Sequence, residues 1–280
     1  MTTWNRAFLS AFVGLLLTAT TLHSAPQPGF RLAAQTEHFS FYVKGKEKVS
    51  PEKSERFLAK VEGLLGAKVE GHGAYYRHAD AQAVEYSTGM YRDGATNLST
   101  GEIHSTKDYH PHEIVHFALS QIGSPGLFFH EGLAVMIAEK GKLRGKKVDT
   151  IAKRFAGNVP FSTFVDAFAS LDPNVSYAVA ASFTKLLIER HGMARVVEFV
   201  RSCDGAEKDR DMEFARVFGQ SLAQAGNDWA AQLSGHDKGT QVAADLGTAR
   251  DSSASRRIAE LQHVVAGATA KERMSSGLVH

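Results

Sequence analysis

Cysteine is almost missing from this chain: Cys203 is the sole one, so no internal disulfide can brace the fold. Stability must come from an apolar core, and a chain of 280 residues is long enough to bury one. Cys203 follows the apolar stretch Val196, Val197, Phe199 and Val200, which points to a buried thiol rather than a reactive one. Charge of one sign is also lacking. Lys and Arg number 32 against 30 Asp and Glu, a net of +2, so no overall basic field marks the chain as a nucleic-acid binder. Past the N-terminal region no apolar run is long enough to cross a bilayer. There is no internal repeat, no Gly-rich phosphate loop and no nucleophile elbow, which removes nucleotide binding and serine-hydrolase chemistry from the first rank of readings.

The first 25 residues read as a secretory signal. Arg6 lies in a short basic start, an apolar stretch runs from Ala7 to Leu17, and small residues lead to Ser24 and Ala25 ahead of Pro26. The expectation is an exported protein, periplasmic or secreted, with no transmembrane segment once the signal is removed. Residues 26–110 then carry strand-like runs. These are Phe39 to Val43, the region Ala67 to Glu70 with Ala74 to Tyr76, and a hairpin of Ala95 to Leu98 with Glu102 to His104. Between the first two, Glu52 to Leu65 has helical spacing. Residues 111–235 read as almost all helix, with Gly192 ending one helix at His191 and an S-x-x-Q capping box, Ser221 to Gln224, opening another. Residues 236–280 turn to small and charged types and read as a loosely attached tail. The expected class is α+β: a small, mostly antiparallel N-terminal sheet followed by a helical bundle.

Thirteen histidines are plentiful, and two of them carry chemistry. His112-Glu113-Ile114-Val115-His116 is an HExxH sequence, and Pro111 before it suits the first turn of a helix. On a helix His112 and His116 share one face, where two imidazoles reach a single zinc ion at about 2.0 to 2.1 Å. Glu113 lies one step round the helix, placed to take a proton without binding the metal. A turn, Ile122 to Gly126, leads to a second apolar helical run from Leu127 to Ala138 with Glu131 inside it. A carboxylate in so apolar a run needs a partner, and a metal held by His112, His116 and Glu131 supplies one. His130 points about 100 degrees away from Glu131 and cannot easily share the ion; His110 has the same difficulty with His112.

The pair HEIVH at 112–116 and FFHEGLA at 128–134 resembles the gluzincins, the peptidase MA-like zinc metallopeptidases with an HExxH...E ligand pattern. The resemblance extends more weakly through residues 176–192 and 214–229 and spans roughly residues 36–234. It implies a zincin-like fold and a Zn2+ cofactor bound by His112, His116 and Glu131. It further implies Glu113 as general base, a peptide or protein substrate, and Tyr177 at a position that can face the metal and steady the oxyanion. His104, Tyr109 and His191 are lesser candidates for that donor. One position departs from the family: many gluzincins carry an orienting Asp four residues after the third ligand, and here Val135 stands there. The partner of the ligand histidines is then expected from elsewhere, such as a backbone carbonyl. Two other readings remain open, a catalytically silent envelope protein that retains the zinc site and a related zinc hydrolase of a non-peptide amide. Neither oligomeric state nor cleavage specificity is legible here.

Overall fold

The computed structural model describes residues 26–203 and 207–235; residues 1–25, read above as a signal, and 236–280, read as a tail, lie outside the described residues. A five-stranded sheet comes first and a largely helical region follows, with ten α-helices among the described residues. The strands are β1 (Arg31–Gln35), β2 (Phe39–Val43), β3 (Gly73–Arg77), β4 (Gly94–Asn97) and β5 (Glu102–Ser105). Helix α1 (Pro51–Leu65) joins β2 to β3, and α2 (Ala81–Thr88) leads from β3 towards β4. Among the described residues no helix is long and apolar enough to cross a membrane.

The sheet is mixed rather than mostly antiparallel. Its order is β1-β2-β3-β5-β4, with β1/β2 and β4/β5 antiparallel but β2/β3 and β3/β5 parallel. For β2 and β3 the connection is α1, a crossover that returns the chain to the same end of the sheet; β5 runs parallel to β3 because the chain passes through α2 to the far edge strand β4 and turns back as a hairpin. Strand β1 and helix α2 carry weaker sequence patterns and were not expected. The segment Ala67 to Glu70 is not a strand. It is tied to α1 instead, where the Val69 amide donates to Glu62 at 2.8 Å.

Alternation along the strands sorts the two sheet faces. Phe39, Phe41, Tyr75 and Ile103 pack into the main core, where Phe39 meets Phe117 at 4.8 Å between ring centroids. On the other face Tyr42, Tyr76 and His104 stack across three adjacent strands at 5.1 and 5.0 Å. His104 Nδ1 lies 3.0 Å from His78 Nε2, and both rings are buried. This takes His104 away from the helical half.

The helical half is built on α3 (Pro111–Ser120), α4 (Leu127–Ala138) and α7 (Pro173–His191). Pro111 opens α3 as its missing N–H allows. Helix α4 is apolar nearly all round and accordingly buried nearly all round, between α3 and α7. Short helices α5 (Val148–Ala152) and α6 (Phe161–Asp166) and the longer α8 (Met193–Ser202), α9 (Glu207–Phe218) and α10 (Leu222–Ser234) complete the region. A small hairpin, β6 (Lys142–Leu143) with β7 (Lys146–Lys147), interrupts the helices. Gly192 has φ +79 at the end of α7. At α10 the capping box is half formed: Ser221 Oγ accepts the Gln224 amide N–H at 3.1 Å, while the Gln224 side chain donates to Asp228. Cys203 is buried.

Gly132 explains one letter of the E-G-L-A sequence. A Cβ there would lie 2.3 Å from Thr184 Oγ1 and 2.7 Å from the Ala180 carbonyl oxygen, so α4 and α7 approach as closely as they do only because residue 132 has no side chain. Gly132→Ala should force the helices apart and cost about 1–3 kcal/mol, measured by urea denaturation; wild-type stability would show that the contact relaxes freely. The buried His78 and His104 give a second expectation. Burial lowers each from 6.5 to about 4, so between those values the unfolded chain takes up protons that the folded chain refuses. Their contribution to stability is complete above pH 6.5 and is lost as pH falls towards 4. Denaturation midpoints across that window should therefore rise with pH in the parent and more shallowly in the double variant His78→Gln/His104→Gln, and an equal slope would refute the assignment.

Candidate metal centre

Helix α3 projects His112 and His116 from one face, and α4, crossing it, brings Glu131 between them. Glu131 Oε2 lies 3.0 Å from His112 Nε2 and 3.3 Å from His116 Nε2. One ligand atom from each of the three residues falls within 4.8 Å of the others, so the group can hold a metal ion. The group is largely buried: Glu131 and His116 are buried and the His112 side chain is 12% exposed.

Helix α7 closes the group from a third side. Tyr177 donates its hydroxyl to Glu131 Oε1 at 2.9 Å, and its ring lies between those of His112 and Phe168, nearly parallel to both at 6.2 and 5.8 Å. Burial and then the Glu131 charge push the Tyr177 phenol well above its ordinary value, which keeps it a proton donor at neutral pH. For Glu131 itself burial disfavours the charge, but His116 and His112 outweigh that and hold the carboxyl far below its usual range. His112 is the converse case. Burial opposes its charge, yet hydrogen bonds to Glu131 and Glu139 raise it to about 10.

Glu139 was not foreseen. Its Oε1 lies 2.9 Å from His112 Nδ1, so this carboxylate, and not a backbone carbonyl, orients His112 and leaves Nε2 directed at Glu131. Residues 131, 135 and 139 follow one another at intervals of four on one stripe of α4 and its C-cap, so with Val135 apolar the orienting acid stands one turn further on. That spacing was readable in the sequence. The second omission, Thr96, was not.

Thr96 lies on β4, an edge strand, and its hydroxyl donates to Glu113 Oε2 at 2.8 Å. This fixes one oxygen of Glu113. The other, Oε1, sits under Gly94: a Cβ at that residue would be 2.9 Å from it and 2.4 Å from His110 Nδ1. Thr96 and Gly94 alternate on β4 and face the same helix, a register that no local pattern announces.

The remaining candidates fall elsewhere. His110 is engaged by Ser105 at 2.9 Å and Lys107 at 3.2 Å, and burial lowers it to about 3. His130 is buried beside His116, ring centroids 6.1 Å apart, with its pKa lowered by burial to about 4, outside the group of three. Tyr109 packs on Phe57, His191 on Phe218, and His104 on the far face of the sheet. None of these joins the metal group.

The donor set has the chemistry of a transition-metal site, two imidazoles and a carboxylate with one imidazole already oriented from behind. A scan against protein-family models found no match, and a search of curated proteins found none either. Motif and geometry therefore carry the functional argument by themselves.

If Glu139 orients His112, Glu139→Gln should weaken metal binding roughly 10- to 100-fold, while Glu131→Ala should abolish it. Competition against a chromogenic chelator reads both. Equal affinity in Glu139→Gln and the parent would reduce Glu139 to a surface acid.

Proposed function

We propose that this chain is an exported zinc-dependent metallopeptidase of the gluzincin kind. The observation that carries the reading is the placing of Glu113: on the helix of the two histidines, one carboxylate oxygen tied to Thr96 and the other left free beneath Gly94. A purely structural metal site has no use for such an acid. His112, His116 and Glu131 would hold the ion, and three protein ligands leave a position open, the arithmetic of a catalytic site. When bound, zinc supplies Lewis acidity, polarising a carbonyl and acidifying water.

The chain's own residues do the rest. Glu113 accepts the proton of the attacking water at Oε1 and passes it to the leaving amine, since Oε2 is occupied by the Thr96 hydroxyl. Tyr177, held protonated and stacked on His112 and Phe168, would supply a donor for the charge that develops on the carbonyl oxygen by turning its single O–H from Glu131 Oε1, whose charge the bound metal would then offset. The free edge of β4 runs beside Glu113, and an extended polypeptide can add to such an edge through main-chain hydrogen bonds. That edge favours a peptide over a compact amide as substrate.

Glu113→Gln should keep its metal and lose roughly 10²- to 10⁴-fold in turnover on a peptide library read by mass spectrometry. A metal-loaded parent inert on every peptide offered would favour a silent zinc protein, and a fully active Glu113→Gln would remove Glu113 from the mechanism.

A further inference from the structure

Directly after Glu139 the sequence reads KGKLRGKK, residues 140–147. These residues form the β6/β7 hairpin, and Lys140, Lys142, Arg144, Lys146 and Lys147 are all exposed. None makes an ion pair or side-chain hydrogen bond among the described residues. The two nearest acids in sequence are committed elsewhere, Glu139 to His112 and Asp149 to Lys185 and Ser182. The chain as a whole is close to neutral, so this is a local concentration of charge and not a share of a general excess.

The concentration is kept against two costs. Lys142 and Lys147 are direct cross-strand partners, an arrangement in which like charges repel. Lys140 and Arg144 have φ of +56 and +49, a region where Gly or Asn is the inexpensive choice. The turn itself, Arg144 with Gly145 at φ +78, has the positive φ at both central residues that a tight type I′ hairpin needs. A hairpin selected for stability alone would carry Asn at 144 and opposite charges across the strands.

The hairpin is also fixed to the wall of the metal group. One end begins at Lys140, the residue after the carboxylate that touches His112. Its only large apolar residue, Leu143, turns inward and packs on the small cluster of Val135, Val148 and Ala181 that also supports Tyr177. With Leu143 turned in and no aromatic residue in 140–147, it offers neither an apolar face for lipid nor a ring on which bases could stack. What it offers is cations spaced along an extended backbone beside the site.

We infer that the β6/β7 hairpin is a docking surface for an acidic stretch of polypeptide, placed to hold a substrate rich in Asp and Glu against the metal group. As a statement about substrate this rests on the peptidase reading; as a statement about binding it does not. The test is direct titration of the purified protein with a fluorescent oligoglutamate peptide and its oligoglutamine counterpart, beside the variant with Gln at 140, 142, 144, 146 and 147. Anionic phosphatidylglycerol vesicles and a single-stranded oligothymidylate serve as rival ligands. The expected result is binding of oligoglutamate alone, weakened by salt and at least roughly ten-fold weaker in the variant. The variant should melt no lower than the parent, because repulsion across the strands has been relieved. Oligoglutamate binding that is absent, or equal in parent and variant, overturns the proposal, as does tighter binding of vesicles or oligothymidylate. Binding through the hairpin by a protein that cleaves nothing would refute the peptidase reading and leave the docking surface standing. Cleavage of neutral peptides with no binding at the hairpin would do the reverse.

Discussion

A carboxylate has to be kept charged inside a helical core, and the arrangement of the helical half follows from that constraint. Glu131 is buried on a helix that is apolar on nearly every side, and an unpaired charge there would cost several kcal/mol. Three donors from two other helices answer it: His112 and His116 from α3 and Tyr177 from α7. The same contacts that pair the charge thus tie α3, α4 and α7 to one another. Gly132 permits the closeness that this requires, since α7 could not bring Tyr177 within hydrogen-bonding distance of Glu131 across a bulkier residue. A metal ion at these donors would take over the role of charge partner, so the features that stabilise the fold and those that define the site are the same features.

The group lies where the two halves of the protein meet. Helices carry His112, His116 and Glu131, but the sheet supplies the restraint on Glu113, through Thr96 and Gly94 on the edge strand β4. That division matters chemically. Residues on rigid crossing helices keep their mutual distances, while an acid with the proton-transfer role proposed for Glu113 is better fixed by one hydrogen bond at one oxygen, leaving the second to exchange a proton. Edge position matters too. A central strand would have both backbone edges satisfied, whereas β4 has one edge paired to β5 and the other turned away from the sheet.

Much of this was legible in the sequence, and the parts that were not share a cause. The helices through 112–116 and 127–138 could be read from periodicity and from Pro111, and the histidines and Glu131 from their spacing, because each is a local signal within a few residues. The mixed character of the sheet departs from the mostly antiparallel expectation because strand direction depends on the connections, the α1 crossover between β2 and β3 and the return through β4 to β5, and not on the strands' own patterns. Glu139 could have been found by following the stripe from 131 through 135 for one further turn. Thr96, Gly94 and the pairing of His78 with His104 depend on register between segments far apart in the chain, and no local pattern encodes it. The basic hairpin was visible as composition, but its significance is positional: only the fold shows that it starts at the carboxylate behind His112.

Val135 unites these observations. Its side chain departs from the gluzincin pattern by having no acid to offer, yet its carbonyl oxygen accepts two amides, those of Glu139 at 3.1 Å and Gly141 at 3.2 Å. This double acceptance ends α4 and sets the backbone from which the Glu139 side chain reaches His112. It also starts the hairpin, because Gly141 in turn accepts the Val148 amide at 3.1 Å and so closes the base of β6 and β7. The orientation of His112 and the position of the cationic hairpin are consequently fixed by one helix terminus. An acid moved from the helix to its C-cap gains that connection and gives up rigidity, since a C-cap side chain is 35% exposed here where one a turn earlier would be buried. A ligand that neutralised the hairpin would also change the electrostatic surroundings of Glu139, so under the proposed docking, occupancy of the hairpin and the strength of the hold on His112 would be coupled.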